Sequence, residues 1–129
     1  MDLNQVTLPS RDLNLSIPFY LDLGLRLIVR ALPHYARFEC PRGTATFSLH
    51  QVENAPELSA GVMVYFETRE LDQEVARLRQ LGHKFDLLPT DQPWRWREAR
   101  LRDPDGNLIV LFWAGEDRKN PPWRLREEA

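Results

Sequence analysis

The sequence predicts an α+β fold made of two copies of one unit, in which a strand and a helix precede three strands. Residues 3–24 can be placed on residues 61–82 without a gap, strand on strand and helix on helix, which indicates an internal repeat. Residues 70–81 have the spacing of an amphipathic helix. Residues 103–107 (DPDGN) have turn chemistry, and the apolar run at 108–113 that follows is typical of a buried strand.

The first copy begins with a strand at residues 3–8, followed by capping chemistry at residues 10–12 and a helix that ends at Gly24. Pro18 has no N–H, so either the helix starts near Asn14 and places Pro18 in its first turn, or the helix is kinked. Three further strands are predicted between proline-containing breaks, at residues 25–31, 34–40 and 44–50.

The second copy follows a polar stretch, residues 51–59, which we interpret as a linker. A strand at 61–67 leads into the helix at 70–81, where Leu71, Val75, Leu78 and Leu81 share one face. The remaining strands are predicted around a loop at 91–93, and they are residues 84–88, 95–102 and 108–113.

Size and composition restrict the class of protein. A chain of 129 residues with a net charge of −2 is expected to form a single domain and gives no basis for nucleic-acid binding. One cysteine, Cys40, excludes an internal disulfide and favours a reducing compartment. Without a signal-peptide pattern or a run of membrane-spanning length, the expectation is a soluble cytoplasmic protein with no membrane partner.

Three segments resemble the vicinal oxygen chelate superfamily, which includes glyoxalase I, extradiol dioxygenases, fosfomycin-resistance enzymes and bleomycin-resistance proteins. They are QVTLPSRDLNLSIPFYLDLGL near the start, ELDQEVARLRQLGHKF in the middle and RDPDGNLIVLF near the end. The resemblance implies two βαβββ modules that form a curled mixed sheet around a concave groove, and a homodimer. The expected domain is residues 1–114, with module one at 2–50 and module two at 60–114, followed by a tail at 115–129.

The alternation of side chains along each strand predicts which residues line the groove. Where every second residue is apolar, those residues pack on the helices, and the residues between them face the groove. The predicted inward positions in module one are Gln5, Thr7, Tyr35, Arg37, Glu39, Thr46, Ser48 and His50. Those in module two are Met63, Tyr65, Glu67, Trp96, Glu98, Arg100, Leu108, Val110 and Phe112.

Metal-using members of the resembled family carry ligands at four inward positions, which correspond here to Gln5, Ser48, Met63 and Val110. A different placement of the fourth strand puts Phe47 in place of Ser48. In both placements Gln5 is the one residue of the four that could still bind a metal ion. A divalent ion needs carboxylates or imidazoles to replace its bound water, and the other positions supply neither. The sequence therefore predicts the family scaffold with neither metal nor cofactor.

Several residues have two interpretations. His50 is either a ligand contact or a surface histidine, and Trp96 is either a stacking wall for a planar ligand or core material. Inward glutamates would attract a cationic ligand unless Arg37 and Arg100 neutralise them. Cys40 is expected to be a buried inert thiol. Trp123, after two prolines, belongs either to a frayed terminus or to a strap that docks its indole on the sheet or on a partner chain.

The function predicted first is sequestration of a small organic molecule, in the manner of bleomycin-resistance proteins. The predicted ligand-binding residues are Gln5, Thr7, Arg37, Ser48, His50, Met63, Tyr65, Trp96, Glu98 and Val110. The alternative is a glyoxalase-like lyase or isomerase with a metal at non-standard positions such as Gln5, His50 and Glu98.

Overall fold

The structure, a computed structural model, describes residues 1–53 and 62–125. Its first module contains β1 (Gln5–Ser10), α1 (Leu13–Asp22), β2 (Arg26–Ala31), β3 (Tyr35–Glu39) and β4 (Thr46–Gln51). Its second contains β5 (Met63–Glu67), α2 (Leu71–Gln80), β6 (Phe85–Asp91), β7 (Arg97–Arg102) and β8 (Leu108–Trp113). The predicted α+β class and the repeated strand–helix–three-strand order are confirmed.

Each module forms its own four-stranded mixed sheet, and the two sheets have the same strand order. The order is β1-β4-β3-β2 in the first sheet and β5-β8-β7-β6 in the second. The first and fourth strands of each module pair in parallel, and the other neighbours pair antiparallel. In the part of the chain that the structure describes, no helix is long and apolar enough to cross a membrane.

The core of the first module lies between its sheet and α1. Phe38 and Phe47 are buried on neighbouring strands, and the ring centroid of Tyr20 from α1 lies 4.5 Å from that of Phe47. The α1 helix begins after Asp12, whose side chain accepts a hydrogen bond from the Asn14 N–H. Pro18 lies in the middle of this helix, so its predicted alternative place in the first turn is wrong.

The segment Asp103–Asn107, which connects β7 to β8, packs with the first module. The Asp103 carboxylate accepts hydrogen bonds from the Tyr20 hydroxyl at 2.5 Å and from the N–H groups of Asp105 and Asn107. The Asp105 carboxylate accepts from the Arg11 N–H at 2.8 Å and from the Ser16 hydroxyl at 2.9 Å. The sequence predicts only a turn here, whereas the structure shows a buried polar cluster.

The core of the second module lies between its sheet and α2, where Leu71, Val75 and Leu78 are buried as predicted. Leu81 is exposed, because the helix ends at Gln80, and its predicted place on the buried face is wrong. The β6 strand continues through Pro89 to Asp91 with shifts in register, so Asp91 is a strand residue although the sequence predicts a loop.

Other boundary differences concern the first strand, β7, the linker and the tail. The β1 strand begins and ends two residues later than the predicted strand at 3–8, and β7 begins at Arg97 although the sequence predicts residue 95. Gln51 belongs to β4, and residues 54–59 of the predicted linker lie outside the described residues. In the tail, Gly115–Arg118 forms a short 3-10 helix. Trp123 is 57% exposed, so the predicted docking of its indole on the chain's own sheet is wrong.

Candidate functional site

Strand register places the predicted binding residues of module one on one face of the first sheet, here called the first face. Residues opposite each other on paired strands present their side chains to the same side. Thr7 lies opposite Ser48, and Ser48 lies opposite Arg37. The first face therefore carries Gln5, Thr7, Tyr35, Arg37, Ser48 and His50. Ser48 holds the fourth-strand position and Phe47 is buried on the opposite side, which decides between the two placements of this strand.

The first face is polar, and its side chains bond to one another. The Arg37 Nε donates to the Tyr35 hydroxyl at 2.9 Å, and this hydroxyl shares a hydrogen bond of 2.7 Å with Ser48. Burial raises the pKa of Tyr35, but the hydrogen bonds with Ser48 and Arg37 lower it by more, so that the net pKa is below its usual value. The Gln5 amide oxygen accepts from the Thr46 hydroxyl at 2.8 Å. His50 is exposed.

The predicted binding residues of module two likewise lie on one face of the second sheet, here called the second face. Met63 lies opposite Leu108, and Tyr65 lies opposite Val110, which in turn lies opposite Arg100. Glu98 and Phe112 form the next pair. The second face therefore carries Met63, Tyr65, Glu67, Trp96, Glu98, Arg100, Arg102, Leu108, Val110 and Phe112.

Three rings form an aromatic cluster on the second face. Trp96 stacks on Phe112 with 4.7 Å between ring centroids and 20° between ring planes. The edge of Tyr65 meets both rings, at centroid distances of 5.9 and 5.5 Å. Tyr65 is nevertheless 39% exposed and Met63 is 49% exposed, so the cluster has an open apolar side. Trp96 is thus partly core material, because one face of its indole is already taken by Phe112.

A buried carboxylate lies beside the aromatic cluster. Glu98 is 1% exposed, and its two oxygens accept hydrogen bonds from the Trp94 indole N–H at 2.8 Å and from Arg100 at 3.0 Å. The loop that carries Trp94 is held by an ion pair of 3.3 Å between Arg95 and Asp117, where Arg95 adopts a positive φ of 72°. Sequence reasoning missed Trp94 as the partner of Glu98, because the hydrogen bond depends on this loop conformation.

Two of the predicted binding residues have no side-chain surface that a ligand could contact. Ser48 and Val110 are fully buried, Ser48 beneath its polar neighbours and Val110 in an apolar cluster with Phe112 and Ala114. Both therefore support the side chains around them and are not open to a ligand in this conformation.

The residues at the four family metal positions do not fit a divalent ion. The Ser48 hydroxyl is bonded to Tyr35, the Gln5 oxygen is bonded to Thr46, and Val110 and Met63 offer an isopropyl group and a thioether. Among residues 1–53 and 62–125, no group of three His, Cys, Asp or Glu side chains is placed to hold a metal ion.

Comparison with known proteins gives a family match over most of the chain. The model of the Glyoxalase/Bleomycin resistance protein/Dioxygenase superfamily matches residues 2–111. A solved structure described as a glyoxalase/bleomycin resistance protein/dioxygenase from Nocardioides is 29% identical, with a TM-score of 0.74, 98% of this chain covered and 90% of that one. Among curated proteins, none matches this sequence significantly.

Two more distant structures share the fold. A bleomycin-binding protein complexed with bleomycin is 21% identical, with a TM-score of 0.70, and the match covers 88% of this chain and 98% of that chain. A lactoylglutathione lyase from Agrobacterium tumefaciens is 18% identical, with a TM-score of 0.70 and coverage of 96% and 97%. One of these proteins binds a drug and the other is named as an enzyme, so the shared fold does not choose between binding and catalysis.

Proposed function

The chain belongs to the Glyoxalase/Bleomycin resistance protein/Dioxygenase superfamily, and from this we propose that it binds and sequesters a small organic molecule without a metal ion. The single observation that carries the proposal is the open side of the aromatic cluster formed by Tyr65, Trp96 and Phe112. Small-molecule sites combine such apolar surfaces with a few fixed polar groups.

Preorganisation of the second face supports this binding role. The Trp96 ring is fixed by stacking on Phe112, and Glu98 holds both Trp94 and Arg100. Side chains that are already ordered lose little conformational entropy when a ligand binds. The ligand is proposed to lie against the exposed ring of Tyr65. For the first face, ligand contacts by Gln5, Thr7, Arg37 and His50 stay a separate prediction.

The metal-free part of the proposal rests on donor chemistry. A hydroxyl, a thioether and an isopropyl group stand where metal-using relatives have ligands, and none of them replaces the water shell of a divalent ion. The glyoxalase-like alternative names Glu98 as one possible ligand, but this carboxylate is 1% exposed and its charge is already paired with Arg100. We therefore favour binding by occlusion over metal-dependent catalysis.

Binding is tested with a thermal-shift screen of metabolites and antibiotics, followed by calorimetry on the compounds that raise the unfolding temperature. Replacing Tyr65 by Ala is expected to weaken binding about tenfold, because the stacking surface is lost, whereas Tyr65→Phe keeps the ring and the affinity. Leu15→Ala removes an exposed apolar side chain from α1 and serves as a matched control with unchanged affinity. Equal affinity of the Tyr65→Ala variant and the wild type would contradict the proposed site.

Metal content is tested separately, by elemental analysis of the dialysed protein and by unfolding with and without a chelator. We expect less than one equivalent of any transition metal and the same unfolding midpoint under both conditions, because an ion that binds the native state would stabilise it. A stoichiometric metal that resists dialysis would instead favour the enzyme.

We further propose that the chain acts in the cytoplasm as a homodimer, as the family resemblance implies. The single cysteine, Cys40, supports a reducing compartment, and burial raises the pKa of its thiol. Sedimentation equilibrium of the purified chain measures the mass of the assembly, and a monomer at micromolar concentration contradicts the dimer.

A further inference from the structure

We infer that the second face selects an anionic ligand, a planar aromatic molecule that carries a carboxylate, with Arg100 as the group that recognises the charge. This inference rests on the proposed function and adds the chemical class of the ligand.

Of the Glu98–Arg100 pair, Arg100 is the member that a ligand is able to reach. Glu98 is 1% exposed and both of its oxygens already accept hydrogen bonds, whereas the Arg100 side chain is 34% exposed. A cationic ligand would have to displace Trp94 or Arg100 to reach the carboxylate. An anionic ligand meets the guanidinium directly.

Arg100 has a hydrogen-bond donor that no acceptor among the described residues uses. A guanidinium has five N–H donors, and among the described residues Glu98 accepts from the Nη2 group of Arg100. The Nε atom is buried and has no hydrogen-bond partner there. The planar fork of arginine matches a carboxylate in two parallel hydrogen bonds, so the remaining donors of Arg100 favour this group over a single carbonyl.

The other charged groups of the second face, Glu67 and Arg102, are already paired. The Glu67 carboxylate accepts from the N–H groups of Ala114 and Gly115 at 3.0 Å and lies 3.5 Å from the Arg118 Nε. Its charge is therefore offset by groups of its own module. Arg102 is cationic and pairs with Asp86 at 3.1 Å. Within the part of the chain that the structure describes, the carboxylates of this face are thus each paired with a cationic group.

The spacing of the strands indicates the size of the ligand. Tyr65, Val110 and Arg100 are consecutive partners across β5, β8 and β7, with Val110 buried between the other two. Two strand spacings of about 4.8 Å separate the backbones of Tyr65 and Arg100 by roughly 10 Å. One or two fused rings with a carboxylate at one end span this distance, with the rings against Tyr65 and the carboxylate at Arg100.

The experiment compares three probes of equal shape by calorimetry on the full chain: 2-naphthoate, its neutral amide 2-naphthamide and the cationic 2-naphthylmethylamine. We expect 2-naphthoate to bind about tenfold more tightly than the amide, because a hydrogen bond to a charged partner is stronger than one to a neutral partner, and the amine to bind most weakly.

Replacing Arg100 by Met is expected to reduce the affinity for 2-naphthoate about tenfold, to that of the amide, while the affinity for the amide is unchanged. Because this variant leaves Glu98 buried without its partner, the double variant Glu98→Gln/Arg100→Met is measured beside it and is expected to show the same loss of preference. Arg79→Met removes the same charge from the last turn of α2 and is the matched control, with the preference retained.

The possible failures are distinguishable. Equal affinity for the acid and the amide, a preference for the amine, or a preference that survives in the double variant overturns the role of Arg100 but leaves a small-molecule binder. Binding of none of the three probes overturns both the selection of anions and the aromatic site on which it rests.

Discussion

The first and second faces occupy the same place in two sheets of identical strand order, yet their chemistry is opposite. Equivalent positions carry Thr7 and Tyr65 in the first strands, and Ser48 and Val110 in the fourth strands. Ser48 belongs to a network of hydrogen bonds with Tyr35 and Arg37, whereas Tyr65 and Val110 belong to an aromatic and aliphatic cluster. Backbone pairing therefore fixes the position of a side chain in the sheet, while the residue type decides whether that position is polar or apolar.

One feature is common to both faces. Arg37 and Arg100 hold equivalent positions, opposite Ser48 and Val110, and each donates to the residue two positions earlier on its strand, Tyr35 or Glu98. The acceptor is a hydroxyl in the first module and a buried carboxylate in the second. Each face therefore keeps one oriented guanidinium, although the surroundings differ.

The largest expected difference between the faces is in stability. Phe112→Ala should lower the free energy of unfolding by about 3–5 kcal/mol, because it removes a buried ring on which Trp96 stacks. His50→Ala, at the equivalent but exposed position of the first face, should change it by less than about 0.5 kcal/mol. Urea unfolding of both variants measures the difference, and similar losses would show that the two faces are not energetically distinct.

A smaller loss of unfolding free energy is expected when one buried side chain of a fourth strand, Val110 or Ser48, is exchanged for one of opposite polarity. Val110→Thr places a hydroxyl in an apolar cluster and should cost about 1–3 kcal/mol of unfolding free energy. Ser48→Ala removes a hydroxyl whose partner Tyr35 keeps its bond with Arg37, and should cost about 1 kcal/mol. Urea unfolding also ranks these two variants. A larger loss of unfolding free energy for Ser48→Ala than for Val110→Thr would contradict the proposed contrast between the polar and the apolar face.

The smallest expected effect concerns the turns before the fourth strands. Burial raises the pKa of Asp105, but hydrogen bonds from the Arg11 N–H and from the Ser10 and Ser16 hydroxyls lower it by more, so the folded pKa is below the usual value of 3.8. A depressed carboxyl pKa stabilises the fold above the unfolded pKa, and this contribution is lost as the pH falls through the folded pKa.

Stability measured from pH 7 to below pH 4 should therefore fall more steeply for the wild type than for Asp105→Asn, which costs about 1 kcal/mol at pH 7. The equivalent turn of the first module, residues 41–44, is exposed, and Thr44→Ala in that turn is the matched control with the slope of the wild type, because neither residue titrates. If the stability of the wild type falls with pH no more steeply than that of Asp105→Asn, Asp105 does not contribute to the pH dependence of stability.

The sequence determined the order of the elements and the side of each sheet on which residues lie. Alternation along β3 predicted that Arg37 and the apolar residues of this strand lie on opposite sides. The structure confirms it with Ala36 and Phe38 buried, because a strand presents successive side chains to opposite faces. It left open whether Ser48 or Phe47 holds the fourth-strand position, since that depends on the pairing between β1 and β4, which no local pattern specifies.

Only the tertiary structure decided the partners of the charged and aromatic groups. The cluster of Asp103 with Tyr20 joins residues 83 positions apart, and the bond between Trp94 and Glu98 needs the loop at Arg95 to adopt a positive φ. Such contacts depend on three-dimensional distance and on burial, which strengthens each interaction by excluding water. The sequence named Glu98 and Arg100 as opposing charges, and the fold decided that the carboxylate is buried while the guanidinium reaches solvent.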